Sequence, residues 1–281
     1  MPHGKLPSVK SGGSANLDLL RSIAVLLVLA QHLCRRLHVF QVGWMATSSW
    51  GAFGVLLFFV HTSLVLLHSM GRSQLNGRAL LHNFYLRRIF RIYPLSILAV
   101  LTALTLRLDS DVNGTAGLSR SPFPGMVVSA ANFLLVQNLL YAKSIVNVLW
   151  SLPFELQMYL FLPFLFLWIR GRRMFWPLLG LWITSVVAGV IQPHVPGLGR
   201  LSILLFVPNF LPGVIAFSLV RRPRLPAFVW PIFIMFLVVG FTLRPVAAVG
   251  WVLCLFLGVL IPFFAEITIP WVCALSNRIA T

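Results

Sequence analysis

Acidic side chains are nearly missing from this chain of 281 residues. There are five, Asp18, Asp109, Asp111, Glu155 and Glu266, against 22 lysines and arginines, for a net charge of +17. Charged residues of either sign make up 10% of the sequence, whereas a soluble domain carries about 25%, so no soluble domain is expected. The three cysteines, Cys34, Cys254 and Cys273, are odd in number and far apart. That excludes a disulfide framework and a cysteine metal site, and no metal is expected. No alternating ten-residue segments occur, which excludes a closed membrane barrel. The cationic excess does not point to nucleic acid either, because the basic residues form short clusters between apolar runs, as the positive-inside rule expects.

What is present is apolar. Hydrophobic residues are 59% of the chain and the mean hydropathy is +0.92. The fold class expected is all-α: a polytopic helical membrane protein with 8–9 transmembrane helices and the bilayer as a partner. Residues 1–16 read as a polar cytoplasmic tail and 17–281 as the membrane domain. Arg21 interrupts the first apolar run and no small-residue cleavage site follows, so the run reads as a retained span rather than a signal peptide. Spans are expected at 17–33, 51–70, 94–106, 150–169, 175–192, 201–220, 227–243 and 246–265. Residues 71–93 form a basic stretch, expected as a helix at the cytoplasmic surface, after which Pro94 opens the third span. The polar connection 107–123 holds an acceptor sequon at Asn113, Gly114 and Thr115, which is taken as chance. Residues 125–142 are a weaker apolar stretch carrying Asn132, Gln137 and Asn138. A re-entrant or interfacial 125–142 puts both RGRR at 170–173 and RRPR at 221–224 on the cytoplasmic side, as the rule favours, and leaves eight spans rather than nine.

Ionisable groups in apolar runs usually face a protein interior or a watery cavity. Asp18 and Arg21 are three apart, hence neighbours on a helix. His32 follows Arg21 by eleven positions, on the same stripe and about 16 Å along the axis. Two readings are open: a functional histidine, or a snorkelling arginine with a packed polar residue at the far boundary. Arg87, Arg88 and Arg91 converge on one helix face, suited either to a multiply charged phosphate ligand or to anionic lipid. Glu155 falls in the first turn of its helix if Ser151 caps it and Pro153 follows, with Tyr159 one turn on and Gln157 close by. A lone carboxylate there needs a partner, and His32, Arg21 and His61 are the candidates. His61, at the middle of its span, reads as an interhelical hydrogen-bonding residue or a second polar member of the same cavity.

Four segments in order resemble the acyltransferase-3 family, the OafA-like sugar O-acyltransferases. LDLLRSIAVLLVLAQHL at 17–33 is similar to LDGLRAIAVLLVVLFH, keeping the spacing of Arg21 and His32. GVLLFFVHTSLVL at 54–66 resembles GVDLFFVLSGFLI, and FYLRRIFRIYPL at 84–95 resembles FYLRRALRILPL, with Arg88 and Arg91 in place. WSLPFELQMYLFLP at 150–163 resembles WSLSVEEQFYLLWP, keeping Trp150, Ser151, Leu152, Glu155, Gln157 and Tyr159. The resemblance implies transfer of an acyl group, usually acetyl, from cytoplasmic acyl-CoA to a hydroxyl of an extracytoplasmic or lipid-linked glycan. It implies an essential role for His32 and a donor-binding role for Arg88 and Arg91. Departures are Leu56 for the family's aspartate, His61 and Thr62-Ser63 where the family shows leucine and Ser-Gly, and Leu156 for its second acid. The chain ends about where a family segment like SYxLYLxH begins, which leaves a shortened member or a truncated product open.

The leading expectation is a membrane O-acyltransferase of a bacterial inner membrane. His32 acts as general base on the acceptor hydroxyl or, as the lesser alternative, as a transient acyl carrier; Glu155 orients or charge-balances it, Arg21 lies near the cytoplasmic mouth, and Arg88, Arg91 and Arg87 bind donor phosphates. Asp18, Tyr159, Trp150 and His61 support the site. The alternatives are a transporter or flippase subunit using the same buried groups, and an inactive family member.

Overall fold

The second apolar run is hydrophobic on every side, and a helix of that kind belongs in an interior. A computed structural model, describing residues 14–107, 123–172, 174–195 and 197–268, puts it there. Helix α2 (Thr47–Arg72) is buried along most of its length, and most of the other helices pack against it. Helix α1 (Ala15–Arg36) precedes it, joined through a hairpin of two-residue strands, Gln41–Val42 and Met45–Ala46. Gly54 lies against Ala24, Gly51 against Gln31, and Leu17 packs with Leu64. The two helices are therefore antiparallel, Arg21 stands level with His61, and His32 stands level with the start of α2. On α1 the apolar stripe Leu17, Leu20 and Ala24 is buried together with Asn16 and Ser22, while Leu26, Leu29 and Leu33 are exposed.

Helix α3 (Gly77–Thr105) runs unbroken through Pro94. The sequence suggested a surface helix ending there and a separate span beginning. In fact the chain keeps one axis, since apolar surroundings favour the helix wherever backbone groups have no water to bond. Arg87, Arg88 and Arg91 consequently sit well along a 29-residue helix. Helix α4 (Met126–Phe133) has eight residues, about 12 Å of length, and is followed by irregular chain up to residue 146. Residues 125–142 thus form no spanning helix. Asn132 holds the segment together, donating from Nδ2 to the Val128 and Lys143 carbonyls at 2.9 Å each and accepting from Ile145 N at 2.9 Å.

A 3₁₀ turn (Asn147–Ser151) leads straight into α5 (Leu152–Ile169). Helix α6 (Phe175–Ile191), 3₁₀ turns over Gln192–His194 and Leu198–Leu205, and the short α7 (Val207–Ser218) follow, then α8 (Val229–Leu243) and α9 (Ala247–Leu260). Pro212 removes the donor that would have bonded the Pro208 carbonyl, and Trp182 Nε1 donates to that oxygen at 2.9 Å instead. Ser63 Oγ donates from α2 to the Phe210 carbonyl at 2.8 Å. A Cβ on Gly213 would overlap Ser63 and Val60 of α2, and one on Gly258 would overlap Pro212. Helix α7 is thereby held between α2 and α9 at backbone contact, the small-residue packing that membrane interiors favour.

Among the described residues six helical stretches are long and apolar enough to cross a membrane, while α8 and α9 are shorter apolar helices. The chain is a multi-pass membrane protein. The expected span at 201–220 is correspondingly half 3₁₀ turn and half α7. Residues 1–13, the sequon, Asp109, Asp111, Cys273 and the segment 274–281 lie outside the described residues.

Candidate functional site

The start of α1 is fixed from several directions. Ser14 is its N-cap, accepting from Leu17 N at 3.4 Å and donating to Glu266 Oε1 at 2.7 Å. Asn16 N donates to Glu266 Oε2 at 3.2 Å, Asn16 Nδ2 to the Ala265 carbonyl at 2.9 Å, and Trp230 Nε1 to the Asn16 carbonyl at 3.0 Å. Arg221 pairs with Glu266 in the one ion pair among the described residues. The helix end is thus tied to the α7–α8 loop and to the chain beyond α9. The sequence offered two weak signals for this clamp: a serine at an N-cap position and an acid with no assigned partner.

Anchored this way, α1 presents Asp18 and Arg21 on neighbouring turns, both half-buried and within electrostatic reach of each other. They are neighbours, as the spacing predicted, without forming an ion pair. Arg21 also feels Arg91 of α3. Helix α3 is brought to α5 by the Phe84 ring edge-on to Tyr159, centroids 6.2 Å apart, and by the Tyr85 hydroxyl donating to the Leu160 carbonyl at 2.9 Å. This contact leaves Arg87 exposed, sets Arg88 half-buried beside the Tyr159 hydroxyl, and carries Arg91 towards Arg21.

Glu155 is 6% exposed, and a buried carboxyl needs hydrogen-bond partners. The Tyr159 hydroxyl, one turn along α5, donates to its Oε2 at 3.0 Å, and Arg91 and Arg88 are the charges it feels. Pro153 stands in the first turn as expected, but the Ser151 side chain makes no cap bond, because the preceding 3₁₀ turn already gives residue 151 helical dihedrals. Glu155 still lies at the positive end of the helix dipole. Trp150 packs on Phe154 and Phe206, centroids 6.2 and 6.0 Å away. Gln157 and Asn138 exchange amide hydrogen bonds of 2.9 and 3.3 Å, docking the irregular chain after α4 onto α5.

His61 is buried on α2 at the level of Arg21, with the Arg21 and Arg91 guanidiniums in electrostatic reach. His32 is elsewhere. It is half-buried near the end of α1, and the charges it feels are Arg35 and Arg36. The eleven residues separating it from Arg21 amount to about 16 Å of helix. The expected pairing of Glu155 with His32 therefore has no direct contact behind it: no hydrogen bond or ion pair joins them, and Glu155 is satisfied within its own helix.

Two levels emerge. The first gathers Arg21, Arg88, Arg91, Asp18, Glu155, Tyr159 and His61 from α1, α2, α3 and α5, with three guanidiniums against two carboxyls. Guanidinium forks in that number suit phosphate oxygens. The second holds His32, farther along α1, with Arg35 and Arg36 in electrostatic reach. The family profile described as an acyltransferase domain, acyltransferase family 3, matches residues 14–276. No curated protein and no solved structure matches the chain.

Proposed function

Since this chain belongs to the acyltransferase-3 family, we propose that it is a membrane O-acyltransferase that moves an acetyl group from cytoplasmic acyl-CoA to a hydroxyl of an extracytoplasmic or lipid-linked glycan. The observation that carries this reading is the buried Tyr159–Glu155 hydrogen bond with Arg88 beside it and Arg91 and Arg21 close by. Arg88 and Arg91, with Arg87 at the exposed rim, bind the donor phosphates. Tyr159 and Glu155 act through Arg88 as positioning residues, holding one guanidinium fork in a fixed orientation.

The donor's long neutral arm then carries the thioester along α1 towards His32. His32 takes the proton of the acceptor hydroxyl as its oxygen attacks the thioester carbonyl carbon. The new C–O bond forms, the C–S bond breaks, and coenzyme A leaves as the thiol after receiving a proton. In this reading the N-terminus is cytoplasmic, the membrane is a bacterial inner membrane, and Glu155 balances charge in the donor level rather than touching His32.

Purified protein in vesicles with radiolabelled acetyl-CoA tests it. The His32→Ala protein should lose transfer by about 10²–10⁴-fold, the range for a general base, while still binding coenzyme A. Arg88→Ala should raise the KM for acetyl-CoA about tenfold, a loss of about 1.4 kcal/mol. Full transfer by a stable His32→Ala protein would remove the central claim.

A further inference from the structure

Two buried side-chain nitrogen or oxygen atoms among the described residues lack a hydrogen-bond partner, His61 Nδ1 and Gln137 Oε1. The Gln137 amide is still held from its other end, donating to the Leu149 carbonyl at 3.5 Å. His61 has no such tie. It is 7% exposed, its ring faces Phe58 with centroids 6.2 Å apart, and it stands level with the guanidinium cluster. Buried polar atoms are almost always satisfied, so an orphan of this kind marks a missing partner. The surrounding pattern GVLLFFVHTSLVL has histidine where the family pattern has leucine, so its presence is a property of this chain.

We propose that His61 is a donor-binding residue whose imidazole hydrogen-bonds an amide group in the arm between the phosphates and the thioester of the acyl donor. This rests on the acyltransferase reading. His61 is buried on the inner side of the guanidinium level, where a phosphate charge is strongly penalised away from water, and the exposed Arg87 and Arg91 offer phosphate a better place. A neutral amide fits. It presents both an N–H and a carbonyl, so it pairs with a neutral imidazole whichever ring nitrogen carries the proton. The position also fits the route, beside the arginines and short of His32.

The test compares His61→Leu, the residue of the family pattern, with His61→Asn, whose amide reaches the Nδ1 position. Both are assayed with acetyl-CoA and with acetyl-pantetheine, which keeps the amides and lacks the nucleotide phosphates. His61→Leu should melt at or above the wild-type temperature and raise the KM roughly five- to tenfold for both donors, with kcat changed far less. His61→Asn should restore the KM. Arg88→Ala should affect acetyl-CoA alone. A wild-type KM in a folded His61→Leu protein overturns the inference, as does a penalty confined to acetyl-CoA, which would assign His61 to phosphate. A wild-type protein that neither binds coenzyme A nor transfers acetyl overturns the acyltransferase reading itself, whatever the variants do.

Discussion

Tyr159 gives its hydroxyl to Glu155 across one turn of α5 and has Arg88 on its other side, so one oxygen links a buried carboxyl to a guanidinium. Tyr159→Phe removes that link and leaves a carboxyl that is 6% exposed short of a donor. Hydrogen bonds to charged groups contribute about 1.5–3 kcal/mol. The expected result is a lower melting temperature in detergent and a several-fold higher KM for acetyl-CoA, with Arg88 no longer held. A Tyr159→Phe protein matching wild type in both would show that Arg88 is positioned by something else. The pairing was legible in the sequence because residues four apart on a helix always meet. The missing contact between His32 and Glu155 and the unpartnered Nδ1 of His61 were not. Which charges meet across helices depends on the axial register of α1 against α2, and that is set by Gly51 and Gly54 taking Gln31 and Ala24 against their backbone.

Helix α7 is short, contains Pro212 and makes backbone contact on two sides. Gly213→Ala would put a methyl onto Ser63 and Val60, and overpacking of this kind costs about 1–3 kcal/mol. The melting temperature should fall by several degrees, and Gly180→Ala, where a Cβ meets open space, should leave it unchanged. Equal effects from the two substitutions would mean that α7 is not closely held. The irregular chain after α4 depends on Asn132 in a similar way. Asn132→Ala strips it of three hydrogen bonds and should expose residues 134–146 to proteolysis before the rest of the protein; an unaltered digestion pattern would argue against that dependence. Helix positions were readable from apolar runs, the stretch over 201–220 included, since Leu198–Ser218 is long and apolar enough to cross a membrane. The runs did not show that the first half of that stretch is 3₁₀, nor that α3 continues through Pro94, where the local preference of proline for a boundary yields to surroundings without water. At Pro212 a neighbouring helix supplies what proline frees, as Trp182 does for the Pro208 carbonyl.

Taken as a whole, the protein has its ends sorted by contacts. Arg170 hydrogen-bonds Asn76, joining the α5–α6 connection to the α2–α3 connection, and Glu266 joins Ser14 to Arg221. Because α3 leaves that end and α5 returns to it, residues 125–142 begin and finish at the opposite end. In a background lacking Cys34, Cys254 and Cys273, cysteines placed at Phe123 and Lys143 should both react with an impermeant thiol reagent from the same side of sealed vesicles. Reaction from opposite sides would make 125–142 a crossing. The sequence by itself determined that the chain is a helical membrane protein, where most of its helices lie, and which residues match an acyltransferase pattern, since transfer free energy and motif spacing are local properties. Only the tertiary structure decided which face of each helix is buried, because lipid and protein interior are equally apolar and leave no periodic mark. It also decided that Glu155 and His61 join the level of Arg21, Arg88 and Arg91 rather than that of His32, whose distance from Arg21 along α1 was already set by the sequence. That division comes from helix register and backbone contact, to which residues distant in sequence contribute together.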